Sequence, residues 1–298
     1  MSAFIDEHRE RFGVEPICET LGVSASAYYR RATGERSARA VEDERLLGVI
    51  EELHAANYCA YGSRRMWKAL LRSGEQVGRS RVERVMRQNG IQGAKRRGKP
   101  WRTTKPDPSA LRSPDRVQRD FTASRPDEKW YADFTYLRCW EGLVFFSFVI
   151  DAYSRMIVGW QFASHMRTDL VLDALGMALH QRAPGANVSL VAHSDAGSQY
   201  TSFDYTQLLD DHDVLASIGS VGDAYDNAAA ESFVDSFKTE LISDRSWATR
   251  SQLELAILEY VAWFNNQRLH EALDDRPPRE IEELYAAKNR ATTPPKRT

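Results

Sequence analysis

The chain contains 298 residues, of which 42% are hydrophobic and 28% charged, and its formal net charge is −2. This composition is typical of a soluble globular protein. The longest apolar run, LVFFSFVI, is too short to span a bilayer, and the charged N-terminal residues exclude a signal peptide. Cys18, Cys59 and Cys139 are too far apart for a disulfide framework or a CxxC zinc site. We therefore expect a cytoplasmic protein with no membrane partner.

The two parts of the chain carry opposite charge. Residues 1–126 contain 25 Lys and Arg against 16 Asp and Glu, whereas residues 127–298 contain 15 against 26. This asymmetry indicates a basic module that binds a polyanion, joined to an acidic module that could hold metal ions. The alternative for the basic part is an ordinary solvated linker.

Short helical signals come first, in residues 1–40. Pro16 suits a helix start, Gly22 a turn, and Ser24 the N-cap of a second short helix. The pattern fits a helix-turn-helix or an ordinary helical hairpin, and the sequence favours neither.

A stronger helix-turn-helix pattern occupies residues 41–90. Apolar residues at helical spacing predict a long first helix, and RRMWKALLR predicts a second. Ser80 is predicted to cap the third helix, which Asn89 and Gly90 end.

The third helix of this region has an apolar side and a basic side. Val82, Val85 and Met86 are predicted to face inward, with Arg81 and Arg84 on the opposite face. A basic outer face on the helix after the turn is what a recognition helix uses in the major groove of double-stranded DNA. The alternative is a three-helix bundle with a solvated arginine face.

Residues 91–126 are predicted to form a basic linker that becomes ordered only on DNA. Pro, Gly, Ser and Arg dominate it, and no hydrophobic period persists. Its cations would contact DNA phosphates without reading sequence. They include Lys95, Arg96, Arg97, Lys99, Arg102 and Lys105.

Residues 127–243 have the pattern of an α/β core. The strand-like runs are KWYADFTYLR, GLVFFSFVID, RMIVGWQFA, NVSLVAHSD and VLASIG. Amphipathic segments that alternate with the later strands predict helices. Three meandering strands followed by alternating helices and strands indicate a mixed sheet with flanking helices. Residues 244–298 are predicted to form a helical tail.

Three carboxylates occur where a charge is a poor structural choice. Asp133 lies within the first predicted strand, Asp195 at the carboxyl end of the fourth, and Glu231 on the last core helix. If they converge, they can hold two divalent cations about 3.5–4 Å apart, an arrangement that catalyses phosphodiester cleavage and transfer. Each acid alone would more often be a solvated or salt-bridged residue, so the indication comes from the three together.

Other polar residues lie close to these carboxylates in the predicted elements. Asn227 and Lys238 share a helical stripe with Glu231, one turn before it and two turns after it. The lysine could bind the phosphate that flanks the scissile bond, and the asparagine could orient a carboxylate or a base. His193, near the strand end, is open to two interpretations, a general base or a packed histidine.

With these motifs the sequence resembles the OrfB-type transposases of the IS-three insertion-sequence family, whose core is similar to retroviral integrases. The motifs are W-x-x-D-x-T-Y, H-S-D-x-G-S-Q-Y-T-S and Y-D-N-A-x-x-E-S, and the resemblance covers residues 14–285. It extends into the tail through Asn265, Arg268, His270, Leu273 and Pro278. The fold that it implies is a ribonuclease-H-like mixed sheet, preceded by the helix-turn-helix region and followed by the helical tail.

The resemblance implies a DDE transposase, which cleaves DNA at insertion-sequence ends and transfers the strand into target DNA. Asp133, Asp195 and Glu231 would be its catalytic residues and the ligands of two Mg²⁺ or Mn²⁺ ions, and Lys238 would contact DNA. The implied assembly is a homo-oligomer on double-stranded DNA, compatible with an upstream-frame transposase subunit as a further partner.

Two positions depart from the family pattern. Ala196 stands where members often carry a basic residue, which is expected to weaken a DNA contact but removes no metal ligand. Asp274 stands where a glycine is usual and is expected to alter a turn.

Two other functions agree with part of the sequence. One is a related metal-dependent nuclease that cleaves DNA without joining it, and the integrase-like motifs disfavour it. The other is an inactive DNA-binding protein derived from a transposase, which the intact set of three carboxylates disfavours.

Overall fold

The computed structural model describes residues 2–33, 36–95, 114–117, 120, 122–183, 189–219 and 228–292. Its helices are α1 (Ser2–Phe12), α2 (Val14–Thr20), α3 (Ala25–Ala32), α4 (Ala38–Ala56), α5 (Ser63–Arg72), α6 (Arg79–Gln88), α7 (Thr168–Arg182), α8 (Phe203–Asp210), α9 (Ala228–Phe237), α10 (Arg250–Asn266) and α11 (Pro278–Thr292). Its strands are β1 (Lys129–Cys139), β2 (Gly142–Asp151), β3 (Ile157–Ala163), β4 (Val191–Ser194) and β5 (Leu215–Ile218). A π-helical turn, Lys238–Ile242, continues α9. None of the described helices combines the length and apolarity needed to cross a membrane.

The strands form one mixed sheet in the order β3-β2-β1-β4-β5. β1, β2 and β3 pair antiparallel, because short turns join them, while β4 and β5 run parallel to β1. Parallel neighbours need a crossover connection, and helices α7 and α8 lie in those connections. The predicted mixed α/β fold with flanking helices is confirmed.

Side chains of β1 alternate between two hydrophobic layers, one on each face of the sheet. Trp130 and Phe134 pack in the layer that contains α7 and α8. Tyr131 and Leu137 pack in the layer that contains α9 and α10. By the same alternation Asp133 lies on the second face, toward α9.

Helix α7 packs against the sheet at Gly159 of β3. A Cβ built at Gly159 would overlap the Ala174 carbonyl oxygen and lie 2.8 Å from the Ala178 Cβ. Only glycine therefore permits this approach of helix to strand.

The helical region before the sheet confirms part of the predicted capping. Ser24 caps α3 by accepting a hydrogen bond from the Ala27 amide, and Gly90 has the positive φ (69°) of a helix-ending glycine. The prediction for Ser80 was wrong: α6 begins two residues earlier than predicted, at Arg79 with Gly78 at the N-cap, so Ser80 lies in the first turn.

The helical region and the sheet share one hydrophobic cluster through α10. Tyr58 and Tyr61, from the α4–α5 connection, pack against Trp263 with ring centroids 4.7 and 6.4 Å apart. The Trp263 indole Nε1 donates a hydrogen bond to Asn57 Oδ1 at 3.1 Å. The C-terminal helices are therefore part of the core and join the regions on either side.

The turn after Leu273 has the backbone conformation that glycine favours, although aspartates occupy it. Asp274 and Asp275 both have positive φ, 54° and 58°. The chain closes across this turn through a bridge between His270 and Arg276. Aspartate tolerates the left-handed region better than most residues, which explains how the turn forms without its usual glycine.

We expect Gly159→Ala to lower the free energy of unfolding by about 1–3 kcal/mol, because α7 must move away from β3 to admit the methyl group. The matched control is Gly176→Ala within α7, where no atom lies within 4 Å of the added Cβ. That variant should gain about 0.5–1 kcal/mol from the helix propensity of alanine. Chemical denaturation measures both, and equal stability of the two variants would contradict the described contact.

Candidate active site and nucleic-acid interface

Asp133 lies in the middle of β1, opposite Phe148 of β2. Its side chain is partly buried, and Oδ1 accepts a hydrogen bond from the Phe134 amide at 2.8 Å. Burial raises the pKa of Asp133 well above its usual range, because the charged form loses hydration.

Asp195 follows the last residue of β4, at the carboxyl end of the strand. The parallel register pairs Ala132 of β1 with Ser194 of β4, the last pair of this ladder. Asp133 and Asp195 each come one residue later in the chain, so they lie side by side where the ladder ends. Asp195 Oδ1 accepts a hydrogen bond from the Gly197 amide at 3.0 Å, which fixes the turn behind it.

Glu231 lies in the first turn of α9, which packs across the face of the sheet that carries Asp133. Phe233 contacts Phe148 at a ring distance of 4.5 Å, and Phe237 stacks on Phe146 at 5.0 Å. These aromatic contacts hold the helix against β2. Burial, reinforced by the Asp235 carboxylate, raises the pKa of Glu231.

Lys238 begins the π-helical turn, seven residues after Glu231. Its Nζ lies 5.0 Å from the centre of the Tyr136 ring on β1, a cation–π contact. Burial lowers the pKa of Lys238, and the carboxylates of Asp133 and Asp235 oppose that change. The lysine therefore points toward the strand that carries the first aspartate.

The four side chains share one electrostatic neighbourhood. After burial, the carboxylate of Asp195 is the largest contribution that raises the pKa of Asp133; Glu231 raises it further and Lys238 lowers it. In the described part of the chain, no three Asp, Glu, His or Cys side chains form a group that could hold a metal ion as they stand. Asp133 is thus close enough to Asp195 and to Glu231 to interact with each, but the three carboxylates as described do not form a ready ligand cluster.

Several predicted DNA-contact residues lie outside the described residues, so the structure says nothing about them. They are Asn227, Arg96, Arg97, Lys99, Arg102 and Lys105. Lys95 is described and is exposed. It follows Gly93, where the chain packs directly on the backbone of Gly62.

Arg81 and Arg84 do not form the free outer face that the sequence predicted. Both are partly buried and donate to Asp43 of α4, at 2.8 and 2.7 Å. The prediction failed because periodicity within one helix does not reveal a carboxylate on another. Val82, Val85 and Met86 are buried, as predicted.

His193 is a packed residue. It is 1% exposed, its Nδ1 lies 2.9 Å from Ser217 Oγ, and its ring meets Tyr131 edge-on. This environment agrees with the structural interpretation of the residue and not with a general base.

A buried ion pair lies next to Lys238 and was not predicted from the sequence. Glu240, in the π-helical turn, accepts three hydrogen bonds from the Arg268 guanidinium at 2.6–3.1 Å. Tyr260 donates to the same carboxylate at 2.8 Å, and Arg65 of α5 approaches it at 3.7 Å. An acid two residues after a candidate site lysine, followed directly by the apolar pair Leu241 and Ile242, was the available signal.

Family models match most of the chain. An HTH-like domain matches residues 41–99, and two integrase core domain models match residues 123–224 and 212–278. The transposase for insertion sequence element IS629 of Shigella sonnei is 45% identical over 292 residues, 96% of this chain and 97% of that protein. The chain belongs to the insertion-sequence transposases.

Other transposases extend the similarity. The putative transposase for IS986/IS6110 of Mycobacterium tuberculosis is 41% identical, over 90% of this chain and 97% of that protein. Transposase InsF for insertion sequence IS3A of Escherichia coli is 31% identical, over 94% and 97%. Among solved structures, a chain of the simian T-cell lymphotropic virus intasome in complex with PP2A regulatory subunit B56 gamma aligns with a TM-score of 0.45 and 12% identity, over 84% of this chain and 76% of that chain.

Membership confirms the resemblance seen in the motifs. This transposase is a polynucleotidyl transferase of DNA transposition and integration, and its HTH-like domain implies DNA binding. Asp133 and Asp195 fall within the first matched integrase core region, and Glu231 and Lys238 fall within the second.

We expect Arg268→Met to lower the free energy of unfolding by about 3–5 kcal/mol, because Glu240 would remain buried without its partner. The double variant Glu240→Gln/Arg268→Met should recover part of that loss, since no unpaired charge is left. Arg45→Met, which removes an exposed arginine paired with Glu42 and Glu75, is the control and should change little. Denaturation curves at one pH decide, and equal losses for Arg268→Met and Arg45→Met would contradict the role of burial.

Proposed function

We propose that this transposase cuts DNA at the ends of an insertion sequence and joins them to target DNA with Asp133, Asp195 and Glu231 as catalytic carboxylates. The observation that carries the proposal is the register of β1 and β4, which pairs Ala132 with Ser194, the residues that precede Asp133 and Asp195. Helix α9, which carries Glu231, packs on the same face of the sheet as Asp133. The raised pKa of Asp133 agrees with neighbouring carboxylates. Costly like charges gathered on one face of a sheet are typical of functional sites.

The chemistry consists of two in-line displacements at phosphorus. In the first, water attacks the phosphodiester at the element's end, the bond from phosphorus to the 3′-oxygen breaks, and that oxygen leaves as a hydroxyl. In the second, the oxygen of the freed 3′-hydroxyl forms a bond to a target phosphorus, and its proton passes to the solvent. The bond from that phosphorus to the target's own 3′-oxygen breaks, and this oxygen takes up a proton and leaves as a hydroxyl. No covalent bond between protein and DNA is needed.

The same three residues would hold two Mg²⁺ or Mn²⁺ ions. Carboxylate oxygens are hard ligands that suit these cations better than zinc, and bound cations would remove the repulsion among the three charges. When bound, the ions lower the pKa of the attacking hydroxyl and stabilise charge on the leaving oxygen.

Lys238 would contact the phosphate next to the scissile bond. Its position on the Asp133 side of the sheet, with the ammonium above the Tyr136 ring, supports this role. Asn227 is proposed to orient a carboxylate or a base beside it.

DNA binding would come from the regions before the sheet. We propose a short helical segment in 1–40, a helix-turn-helix domain in 41–90, a basic linker in 91–126, the catalytic core in 127–243 and the C-terminal helices in 244–298. Lys95, with the other linker cations, would contact phosphates of double-stranded DNA. The active form would be a homo-oligomer on DNA in the cytoplasm, with an upstream-frame transposase subunit as a further partner.

Glu231→Gln should lower the rates of end cleavage and strand transfer by about 100-fold or more, since a metal ligand contributes several kcal/mol to transition-state stabilisation. Products are measured with purified full-length protein, Mg²⁺ and a plasmid that carries both element ends. Binding of the same ends, measured by fluorescence anisotropy, should stay close to wild type.

The matched control is Glu254→Gln, on helix α10, where the side chain is exposed. It makes the same isosteric loss of one charge and should keep cleavage within about threefold, since exposed charges are worth little. Full activity of Glu231→Gln, or equal losses in both variants, would overturn the assignment of Glu231.

Addition of Mg²⁺ or Mn²⁺ should raise the melting temperature of the wild-type protein, because a cation that binds the folded state alone stabilises it. Asp133→Asn should remove most of this increase, and Glu254→Gln should retain it. Differential scanning calorimetry with and without chelator provides the comparison, and an increase that persists in Asp133→Asn would count against metal binding at that carboxylate.

A further inference from the structure

A basic cavity lies between the first turns of α4 and α6. Its volume is about 410 Å³, and it is lined by Arg39, Ser80, Arg81 and Arg84. We call these four residues the arginine pocket. Its three guanidinium groups make it a site for an anion.

Asp43 holds two of these arginines in fixed orientations. Arg81 donates to Asp43 Oδ1 through Nε, at 2.8 Å. Arg84 donates to both oxygens of the same carboxylate through Nη2, at 2.9 and 2.7 Å. Asp43 neutralises one of the three positive charges, and the pocket remains positive.

The way in which Arg81 is held leaves its fork available. Only Nε of Arg81 is bonded to Asp43, and among the described residues none accepts a hydrogen bond from its two terminal amino groups. A guanidinium fixed through Nε presents those two groups as a planar pair, the geometry that binds two oxygens of a phosphate.

The rest of the pocket suits the same ligand. Arg39 makes no ion pair with any residue that the structure describes. Ser80 adds a hydroxyl in the first turn of α6, whose N-cap residue, Gly78, supplies no capping side chain. The neighbouring acid Glu42 is already bound by Arg45, so it does not compete for the pocket.

We propose that the arginine pocket binds one backbone phosphate of duplex DNA, and that Asp43 is a positioning residue that orients Arg81 for it. This proposal rests on the DNA binding of the proposed function. It assigns the first turn of α6 to the DNA backbone, which fixes register without reading bases. The outward positions of α6 are instead Arg79, Glu83 and Arg87, all exposed.

Two arginine-to-lysine variants test the fork at constant charge. Arg81→Lys keeps the charge but loses the planar pair of donors, and should weaken binding of a 20-base-pair random-sequence duplex about five- to tenfold. Arg87→Lys, on the exposed face of the same helix, should change binding less than about twofold. Full-length protein and fluorescence anisotropy provide both values. Equal affinity of the two variants would overturn the proposal.

The salt dependence of DNA affinity reports how many phosphates the protein contacts. Arg81→Ala should reduce the slope of log affinity against log salt concentration by about 0.9, the value for one phosphate contact on duplex DNA. Arg87→Ala removes the same charge outside the pocket and should reduce the slope less. A slope that Arg81→Ala leaves unchanged would overturn the proposal.

Asp43→Asn tests the positioning role through the direction in which DNA affinity changes. The variant makes the protein more positive, so an acid that only neutralised charge would, once removed, leave DNA binding tighter. If Asp43 orients Arg81, binding should instead weaken severalfold at unchanged melting temperature, and tighter binding would overturn the positioning role. Should Asp43→Asn fold poorly, the lysine pair above decides the question.

These outcomes are independent of the triad. Arg81→Lys should raise the DNA concentration needed for half-maximal cleavage and leave the rate at saturating DNA unchanged. Glu231→Gln should lower the rate at saturating DNA and leave the DNA concentration for half-maximal binding unchanged. Wild-type binding by Arg81→Lys therefore overturns the pocket alone, and cleavage by Glu231→Gln overturns the assigned triad alone.

Discussion

The buried ion pair between Glu240 and Arg268 is the contact on which the arrangement of the other parts depends. Both residues are less than a tenth exposed, at 8% and 4%, and three hydrogen bonds join them. Glu240 belongs to the turn that follows Lys238, Arg268 follows α10, and Arg65 reaches the pair from α5. A buried charge without its partner costs several kcal/mol. The helix that carries Glu231, the C-terminal helices and the region that precedes the sheet are therefore held in one arrangement.

The π-helical turn explains how one short segment contacts both the sheet and the residues that follow α10. It begins at Lys238 itself, where the hydrogen-bond spacing of α9 widens. Lys238 points to Tyr136 on β1, while Glu240, two residues later, points to Arg268. Such turns are frequent at functional sites, where they change the direction of a side chain without ending the helix.

Local patterns predicted the sheet and the carboxylates, since both depend on short-range rules. Alternation along β1 predicted which face of the sheet carries Asp133. The apolar run that precedes Asp195 predicted that this residue lies at the end of a strand. Contacts between distant segments were beyond those rules: Asp43 is 38 residues from Arg81, and Glu240 is 28 residues from Arg268. The prediction of a free arginine face on α6 was wrong for this reason.

The contact between Trp263 and the α4–α5 connection bears on how such proteins can be recombined. The indole packs on Tyr58 and Tyr61 and bonds to Asn57, so one face of the DNA-binding region is built against α10. Exchanging residues 41–90 between relatives would leave that surface facing a foreign helix. A chimera that keeps this contact must take α10 from the same parent as helices α4–α6, so that these two distant stretches are exchanged together.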